Sequence, residues 1–337
     1  MDPLDAIADV HRAQVREALA CALDAPTVSA AQPVRGGASG AATYRVDASG
    51  RPLLVRVEEP TRNALRDPAR SFVCMRIAAE AGVAPALHHA DCATGIAIMD
   101  FVPVVPLSQH PDGAAGVARG MGELLERLHA APLFPPLADY LEMTSRLLDW
   151  IDQSGLIAHG LLDPHRDTFA TILGAYPRQH APKVSSHNDA HARNLLYDGT
   201  RLWLVDWELS FRNDPIVDVA VAADSLASTP ELEATLLQAR FGKVDRGDRA
   251  RLAVMRPCTQ LFYAVILLGG FAASPGAEPD CDLSAPTPAQ LEAEVAAGRL
   301  ALGERAFLYQ LAKMFLAGFL ERTRQPEFAR ALADARA

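Results

Sequence analysis

Hydrophobic positions in the first hundred residues predict short strands accompanied by two helices. Residues 4–23 carry apolar side chains at mixed three- and four-residue spacing, which predicts a leading helix. Residues 68–81 have a helical composition, with Pro68 in the first turn and Gly82 and Pro85 at the stop. Short apolar runs beside turns predict strands at 43–46, 53–57, 87–90 and 95–101. We therefore expect a β-rich lobe with one inserted helix.

Helical patterns dominate the remainder of the chain. They cover residues 116–130, 139–153, 163–176, 217–226, 230–241, 249–271 and 303–323. One β element interrupts them, because an Asp-Gly turn between residues 195–197 and 201–205 is a strong hairpin signal. Together the patterns predict an α+β fold of two lobes. The small β-rich N-lobe comprises residues 1–101, and the larger, mostly helical C-lobe comprises residues 102–337.

Composition excludes some classes of protein. Half of the 337 residues are hydrophobic and 22% are charged, as in ordinary globular proteins and unlike disordered chains. The formal net charge of −9 disfavours a protein that binds the phosphate backbone of nucleic acids, so no nucleic-acid partner is expected. An acidic surface favours a cationic small substrate, although net charge alone establishes little beyond solubility.

Cysteine usage and the apolar runs predict a cytoplasmic protein. The five cysteines are scattered and form no CxxC pair, which is typical of free thiols in a reducing compartment. The first fifteen residues lack a basic region followed by an apolar one, so no signal peptide is predicted. The longest apolar run, Leu261–Ala273, is too short to span a bilayer and predicts a buried helix. No membrane partner is expected.

The segment richest in candidate chemistry surrounds the predicted hairpin. Asp189 and Asn194 lie five residues apart in a loop that leads into its first strand, and Asp206 lies where the second strand ends. A tight hairpin brings the loop and that strand end together. Phosphoryl transfer from a nucleotide requires one carboxylate that orients or deprotonates the attacking hydroxyl, and an amide oxygen and a second carboxylate that hold Mg²⁺. These three side chains match that requirement.

The same segment resembles the aminoglycoside phosphotransferase and choline kinase family. The family's catalytic loop, His-x-Asp-x-His-x-x-Asn, is matched by His187, Asp189, His191 and Asn194. Its metal motif and flanking segments are matched by Asp206-Trp207-Glu208 and by residues 212–220, 125–132 and 98–102. The resemblance implies a protein-kinase-like fold. It also implies an ATP- and Mg²⁺-dependent kinase that phosphorylates a hydroxyl of a small molecule, such as an amino alcohol or an aminoglycoside-like amine.

The resemblance also implies a role for the acidic and amide side chains. Asp189 would be the catalytic residue, orienting or deprotonating the acceptor hydroxyl. Asn194 and Asp206 would be Mg²⁺ ligands, and Glu208 would assist a second metal ion.

Nucleotide binding is assigned in the same way to the N-lobe. The phosphates would be covered by backbone amides of a glycine-rich stretch that includes Gly36, Gly37, Ser39 and Gly40. Arg56 stands on the following strand, where the family usually has Lys, and would neutralise phosphate with its guanidinium fork. Met99 and Phe101, in the hinge between the two lobes, would contact adenine.

One expected pair is altered. A glutamate of the N-lobe helix should pair with the strand cation, yet Ser71 falls near that position, and Asp67 and Glu80 are the nearest acids. Loss of the pair would weaken or misorient ATP. The alternative is therefore a pseudokinase or nucleotide-binding regulatory module without transfer activity, which the intact catalytic loop opposes.

Other notable side chains have simpler interpretations. His187 is expected to hydrogen-bond to nearby backbone, and Asp218 to cap a helix or tether a loop. His187 and His191 have a spacing seen in zinc sites, but the loop supplies no obvious third ligand.

An acidic stripe on the predicted helix at 139–153 leaves two interpretations open. Its members share one face at spacings of three, seven and three: Asp139, Glu142, Asp149 and Asp152. The stripe is either a solvated helix face or a surface that receives a cationic amine. Three tryptophans, Trp150, Trp203 and Trp207, could form an aromatic cation-binding surface, but packing is the simpler expectation for each.

Overall fold

The structure is a computed structural model that describes residues 2–34, 41–58, 65, 67–178, 181–274, 276 and 278–336. The predicted phosphate-covering residues lie outside the described residues: Gly36, Gly37, Ser39 and Gly40. The predicted α+β class with a small β-rich lobe and a larger, mostly helical lobe is confirmed.

The described residues form helices and strands in the following order. The strands are β1 (Val28–Pro33), β2 (Ala42–Ala48), β3 (Arg51–Val57), β4 (Leu87–Asp91), β5 (Ile96–Asp100), β6 (Val184–Ser186), β7 (Leu195–Tyr197), β8 (Leu202–Leu204) and β9 (Phe211–Asn213). The helices are α1 (Asp9–Ala22), α2 (Pro68–Glu80), α3 (Gly113–Ala130), α4 (Tyr140–Gln153), α5 (Asp163–Ala175), α6 (Pro215–Leu226), α7 (Pro230–Phe241), α8 (Arg246–Ala272), α9 (Pro288–Ala296), α10 (Arg305–Thr323) and α11 (Pro326–Arg336).

A five-stranded antiparallel sheet organises the small lobe. Its strand order is β1-β2-β3-β5-β4, and β3 pairs with β5 so that Arg56 lies opposite Ala97. Alternate residues of β3 point to opposite faces, and Leu53 and Val55 are fully buried. Val15 and Leu19 of α1 belong to the same apolar core. The sheet thus fixes Arg56 on its central strand.

Two differences from the predicted elements have clear causes. The leading helix begins at Asp9 rather than residue 4, because Leu4 and Ile7 lie in turns, although both are fully buried. Strand β1 was not predicted, since its sequence is VSAAQP and carries little hydrophobic signal. Backbone hydrogen bonds to β2 hold this segment as a strand.

The chain divides into two compact units. The first comprises Met1–Leu137 and Pro182–Lys243, and the second comprises Ala138–Ala181 and Val244–Ala337. The predicted lobe boundary at residue 101 stays a prediction.

In the first unit, helix packing depends on a glycine. Gly122 of α3 faces α7 so closely that an added Cβ would lie 2.6 Å from the carbonyl oxygen of Leu236. The two helix backbones therefore approach one another at this point.

In the second unit, a buried lysine ties a loop to α10. The Nζ atom of Lys313 lies 2.6 Å from a carboxylate oxygen of Asp280, which also accepts a 2.8 Å hydrogen bond from the Tyr309 hydroxyl. The backbone of Asp280 bonds to Leu156 and Ala158 in turn. These contacts tie the loop around Asp280 to α10 and to the segment between α4 and α5.

Helix α8 is long and apolar enough, by length and composition alone, to cross a membrane. Of its most apolar window, 61% is buried inside the protein. Leu261, Phe262 and Leu268 have no exposed surface. Such burial is the pattern of a core helix, in agreement with the expected buried helix over this run.

A buried histidine of the second unit has an unusual environment. His165 of α5 is 3% exposed, and its Nε2 lies 3.2 Å from the carbonyl oxygen of Leu316. Its Nδ1 is buried without a hydrogen-bond partner among the described atoms. Burial lowers the pKa of His165 to about 4.

This histidine should make stability depend on pH. Between about pH 6.5 and pH 4 the unfolded chain binds a proton at His165 that the folded chain does not, so unfolding becomes easier as the pH falls. The contribution reaches up to about 3 kcal/mol over that window. Urea unfolding of wild type and His165→Gln from pH 7 to pH 4.5 measures it. We expect a flatter pH dependence in the variant. Parallel curves would contradict the assignment.

Candidate active site

The loop between β6 and β7 carries the predicted catalytic residue. Asp189 accepts a 2.9 Å hydrogen bond on Oδ2 from the Nδ2 atom of Asn194, whose Nδ2 also donates to the Asp189 carbonyl oxygen at 2.9 Å. The Nε2 atom of His191 lies 3.5 Å from Asp189 Oδ1. Asp189 and Asn194 are thus in direct contact, and the amide nitrogen of Asn194 is engaged by the aspartate.

The short hairpin connects this loop to the third predicted residue. β7 and β8 pair with Leu195 opposite Leu204, and the N–H of Val205 donates to the carbonyl oxygen of Asn194 at 3.0 Å. Asp206 is the next residue. The structure therefore brings Asp189, Asn194 and Asp206 into one neighbourhood by backbone pairing, as the sequence predicts.

Asp206 has a strained backbone and a poorly satisfied carboxylate. Its φ is 69°, in the left-handed region that costs most residues about 1–2 kcal/mol, although Asp tolerates it better than most. Its Oδ1 is buried without a hydrogen bond, and Nη2 of Arg56 lies 3.5 Å from it. A buried carboxylate oxygen in this state is suited to bind a cation.

Arg56 contacts three carboxylates. Its Nε donates to Glu58 at 2.7 Å, and its Nη2 donates to Glu208 and lies near Asp206. Burial would lower the pKa of Arg56, but the charges of Asp206, Glu58 and Glu208 raise it above its ordinary value. The guanidinium is therefore firmly ionised, although it is only 8% exposed.

The expected partner on α2 is replaced. Ser71 is buried and its hydroxyl donates to the carbonyl oxygen of Pro68, while Asp67 caps the helix by accepting from the N–H of Ala69. Glu80 is exposed at the last turn. Among the described residues, the carboxylates that contact Arg56 are instead Glu58, Asp206 and Glu208. Sequence reasoning missed Glu58, although its position two residues after Arg56 places both side chains on one side of the strand.

A fully buried carboxylate organises the catalytic loop. Asp218 of α6 accepts hydrogen bonds from the backbone N–H of His187 at 3.0 Å and of Asn188 at 2.6 Å. Nε2 of His129 lies 2.8 Å from Oδ2, the oxygen that also accepts from His187, and Arg240 donates to Nδ1 of His129 at 2.6 Å. An Nδ1 that accepts leaves the proton on Nε2, so His129 donates to Asp218.

These contacts also set the charge of both groups. Burial would raise the pKa of Asp218, but the hydrogen bonds from His129 and from the backbone N–H of His187 hold it below its ordinary value. Burial lowers the pKa of His129 and favours its neutral form. The loop thus rests on an ionised aspartate, and the structural role expected for Asp218 fits this geometry.

Asn188 is a further residue that the sequence analysis missed. Its φ is 62°, and its side chain accepts from Asn213 at 2.7 Å and donates to the carbonyl oxygen of Leu209 at 2.9 Å. It therefore joins the catalytic loop to β9 and to the turn after Glu208. The sequence signal for Asn188 was its position between His187 and Asp189, both of which match the family motif.

The oxygen donors suit a hard divalent cation. Asp206, Glu208 and Asn194 supply carboxylate and amide oxygens, which such ions prefer. Within the described ranges, no cluster of three His, Cys, Asp or Glu side chains has the arrangement of a metal site. The fit therefore rests on the amide of Asn194 and on the buried oxygen of Asp206. The two loop histidines are otherwise engaged: His187 Nε2 lies 2.9 Å from the Val205 carbonyl oxygen.

The predicted hinge residues lie near the end of strand β5. Met99 lies within β5 between β3 and β4 and is 6% exposed. Phe101 follows the strand, and the guanidinium of Arg45 lies 5.1 Å from its ring centroid. Their contact with adenine stays a prediction.

The acidic stripe of α4 is paired with arginines. Arg166 bonds to Asp149 and Asp152, and Arg178 contacts Asp139 and Glu142. Two guanidinium groups offset half of the charge of these four carboxylates, which lowers the negative potential that a cationic substrate would meet.

The tryptophans follow the packing interpretation in two cases. Trp207 is 2% exposed and packs against Phe134 and His187. Trp203 donates to Asp198 from its indole nitrogen and lies under Arg201. Trp150 is 41% exposed, so packing accounts for only part of its surface.

The Asp218 network is open to a direct test. Asp218→Asn replaces one acceptor oxygen with an NH₂ group, which then faces N–H donors in a buried place. We expect the free energy of unfolding to fall by about 1–3 kcal/mol. Chemical denaturation measures it, with Asp224→Asn on an exposed position of the same helix as the control. Equal stability of the two variants would contradict the role of Asp218.

Comparisons with known proteins give a family for the chain. The family model described as the phosphotransferase enzyme family matches residues 30–254. One curated relative, an uncharacterised protein of Metamycoplasma hominis, is 26% identical over 98 residues, which is 29% of this chain and 19% of that protein. The chain thus spans about a fifth of that relative's length.

Solved structures show a similar fold. A choline/ethanolamine kinase family protein from Mesorhizobium loti has a TM-score of 0.66 and 22% identity, over 90% of this chain and 92% of that one. The choline kinase LicA from Streptococcus pneumoniae has a TM-score of 0.65 and 15% identity, over 91% and 99%. A ternary complex of streptomycin, ATP and APH(2'')-IIa has a TM-score of 0.55 and 16% identity, over 75% and 90%.

The family match covers about two thirds of the chain and includes both the sheet and the catalytic loop. The kinase-like, two-lobed fold predicted from the resemblance is confirmed by the solved structures. The chain therefore belongs to the phosphotransferase enzyme family, as the resemblance of its sequence predicts.

Proposed function

We propose that the enzyme transfers the γ-phosphoryl group of ATP to a hydroxyl group of a small molecule, with Mg²⁺ as the required metal ion. The observation that carries the proposal is the contact of Asp189 with Asn194, together with the backbone bond that links Asn194 to the residue before Asp206. This places a candidate base beside an amide and a carboxylate with a buried, unbonded oxygen. Phosphoryl transfer requires these groups together.

Asp189 acts on the acceptor. Its carboxylate receives or orients the proton of the attacking hydroxyl, while its own position is held by Asn194 and by the backbone that Asp218 anchors. The acceptor oxygen forms a bond to the γ-phosphorus as the bond to the β,γ-bridging oxygen breaks, and ADP leaves. No covalent enzyme intermediate is needed, because positioning and charge neutralisation supply the catalysis.

The nucleotide is held by charge and by backbone. Asn194, Asp206 and Glu208 would hold Mg²⁺, which would neutralise the phosphates. Arg56 is buried beside Asp206 and Glu208 and would offer its guanidinium to phosphate oxygens. Gly36, Gly37, Ser39 and Gly40 would cover the phosphates, and Met99 and Phe101 would border adenine. ATP bound to the similar APH(2'')-IIa supports this choice of nucleotide.

The acceptor is a small molecule with a free hydroxyl. The similar proteins include kinases of choline and ethanolamine and a complex with streptomycin. Choline, ethanolamine and streptomycin are all organic cations that carry hydroxyl groups. An amino alcohol or aminoglycoside-like amine is therefore the class to test first. The paired acidic stripe of α4 gives no support for its use as the amine site.

A second candidate is a nucleotide-binding module without transfer. Arg56 already contacts Asp206 and Glu208, and such contacts compete with a metal ion for the same oxygens. The intact pairing of Asp189 with Asn194 favours the active enzyme, because a binding module has no need of an oriented base.

Asp189→Asn separates these candidates. We expect turnover to fall by about a hundredfold to ten-thousandfold, while MgADP affinity stays close to that of wild type, because Asp189 acts on the acceptor hydroxyl. A coupled ADP-release assay with a panel of amino alcohols and aminoglycosides measures turnover, and calorimetry measures binding. Asp167→Asn, at an exposed position of α5, is the matched control. Unchanged turnover in Asp189→Asn would refute the assignment.

A further inference from the structure

Three carboxylates surround the phosphate-binding candidate Arg56, but they are not equivalent. Asp206 and Glu208 are proposed metal ligands, so their charge is directed to the metal when the nucleotide complex forms. Glu58 has no such role. It accepts a 2.7 Å hydrogen bond from Nε of Arg56, and the side chains of Arg56 and Glu58 are 9% and 11% exposed. This pair is therefore the contact of the cluster for which a bound metal ion would not compete.

The backbone holds Glu58 in place. Its N–H donates to the carbonyl oxygen of Gly95 at 2.8 Å, and Gly95 has a φ of 70°. A Cβ added at Gly95 would lie 2.3 Å from the Glu58 carbonyl oxygen. Only glycine allows this close approach of the two strands. The carboxylate of Glu58 consequently projects from a fixed point beside Arg56.

Helix α2 contributes a cation instead of the expected acid. Arg70 is 6% exposed, and its guanidinium donates to the carbonyl oxygens of Glu208 at 2.7 Å and Ser210 at 3.0 Å. The helix thus binds the main chain after Asp206. It does not reach Arg56 with a carboxylate, since its acids lie at the N-cap and at the exposed last turn.

We infer that Glu58 is a positioning residue for nucleotide binding: its bond to Nε fixes the guanidinium of Arg56, so that the Nη groups, which contact Asp206 and Glu208 in this structure, can turn to the phosphates when nucleotide and metal bind. The inference rests on the proposed function. It transfers to the strand a task that the family resemblance assigns to a glutamate of the helix. Nucleotide binding then does not depend on a charged contact from α2.

The physical reason is competition for one cation. Glu58 bonds the Nε side of the guanidinium, which leaves the Nη groups to point towards the site. Without that bond, Arg56 would pair with the carboxylates of Asp206 and Glu208 alone, and Mg²⁺ would have to displace it. Removing Glu58 therefore weakens binding of the metal-bound nucleotide.

Glu58→Gln tests the inference by calorimetric titration with MgADP. Loss of one charge-assisted hydrogen bond predicts about a tenfold rise in Kd. The variant should melt at the temperature of wild type, because Arg56 keeps two other carboxylates. Glu80→Gln, the same change at an exposed acid of α2, should bind like wild type. In an Arg56→Gln background, the further change Glu58→Gln should have less than about a twofold effect, because the cation that it positions is gone.

The outcomes distinguish the inference from the function on which it rests. Wild-type protein that binds no MgADP refutes the proposed function. Wild type that binds MgADP, with Glu58→Gln equal to it, refutes only the role of Glu58. A lower melting temperature with unchanged Kd would show a structural role and would also overturn the inference. Should Glu58→Gln fail to fold, Glu58→Asp keeps the charge but shortens its reach, and a Kd equal to that of wild type would count against it.

Discussion

The active site depends on one buried carboxylate. Asp218 has no exposed surface and accepts hydrogen bonds from two consecutive backbone N–H groups and from His129. A buried charge is tolerated only when donors satisfy it, and here the donors belong to the catalytic loop. The same interaction that stabilises the ion therefore shapes the loop, and the residue after the second amide is Asp189.

A second constraint is the balance of charge around Arg56. The chain has a formal charge of −9, and carboxylates also crowd the proposed phosphate site. A triphosphate would be repelled without a compensating cation. The buried guanidinium of Arg56 and the proposed divalent metal ion would supply that compensation, and the carboxylates keep the guanidinium ionised. The acidic side chains of the site are thus part of its capacity to bind an anion.

Much of the fold was predictable because local signals agreed with it. The Asp-Gly turn placed the β7–β8 hairpin, and Pro68 with Gly82 bounded α2 to within one residue. Elements with weak local patterns were missed. β6 and β9 have three residues each, and their pairing is decided by tertiary contacts such as those of Asn188.

The site was partly predictable for the same reason. The spacing of Asp189, Asn194 and Asp206 fixes their neighbourhood once the hairpin forms, so the sequence suffices. The partner of Arg56 could not be predicted in that way, because the family resemblance assigns the partner to a helix position near which Ser71 falls. The contact with Glu58 depends on the strand's own alternation and on the approach of Gly95.

The most direct test of the account is the position of a bound metal ion. A crystal of the protein with ADP and Mn²⁺, measured near the manganese absorption edge, locates the metal by anomalous scattering. The account predicts a peak bound to oxygen atoms of Asn194 and Asp206. Bound ADP with manganese at other side chains, or with no metal peak at these two residues, would contradict it.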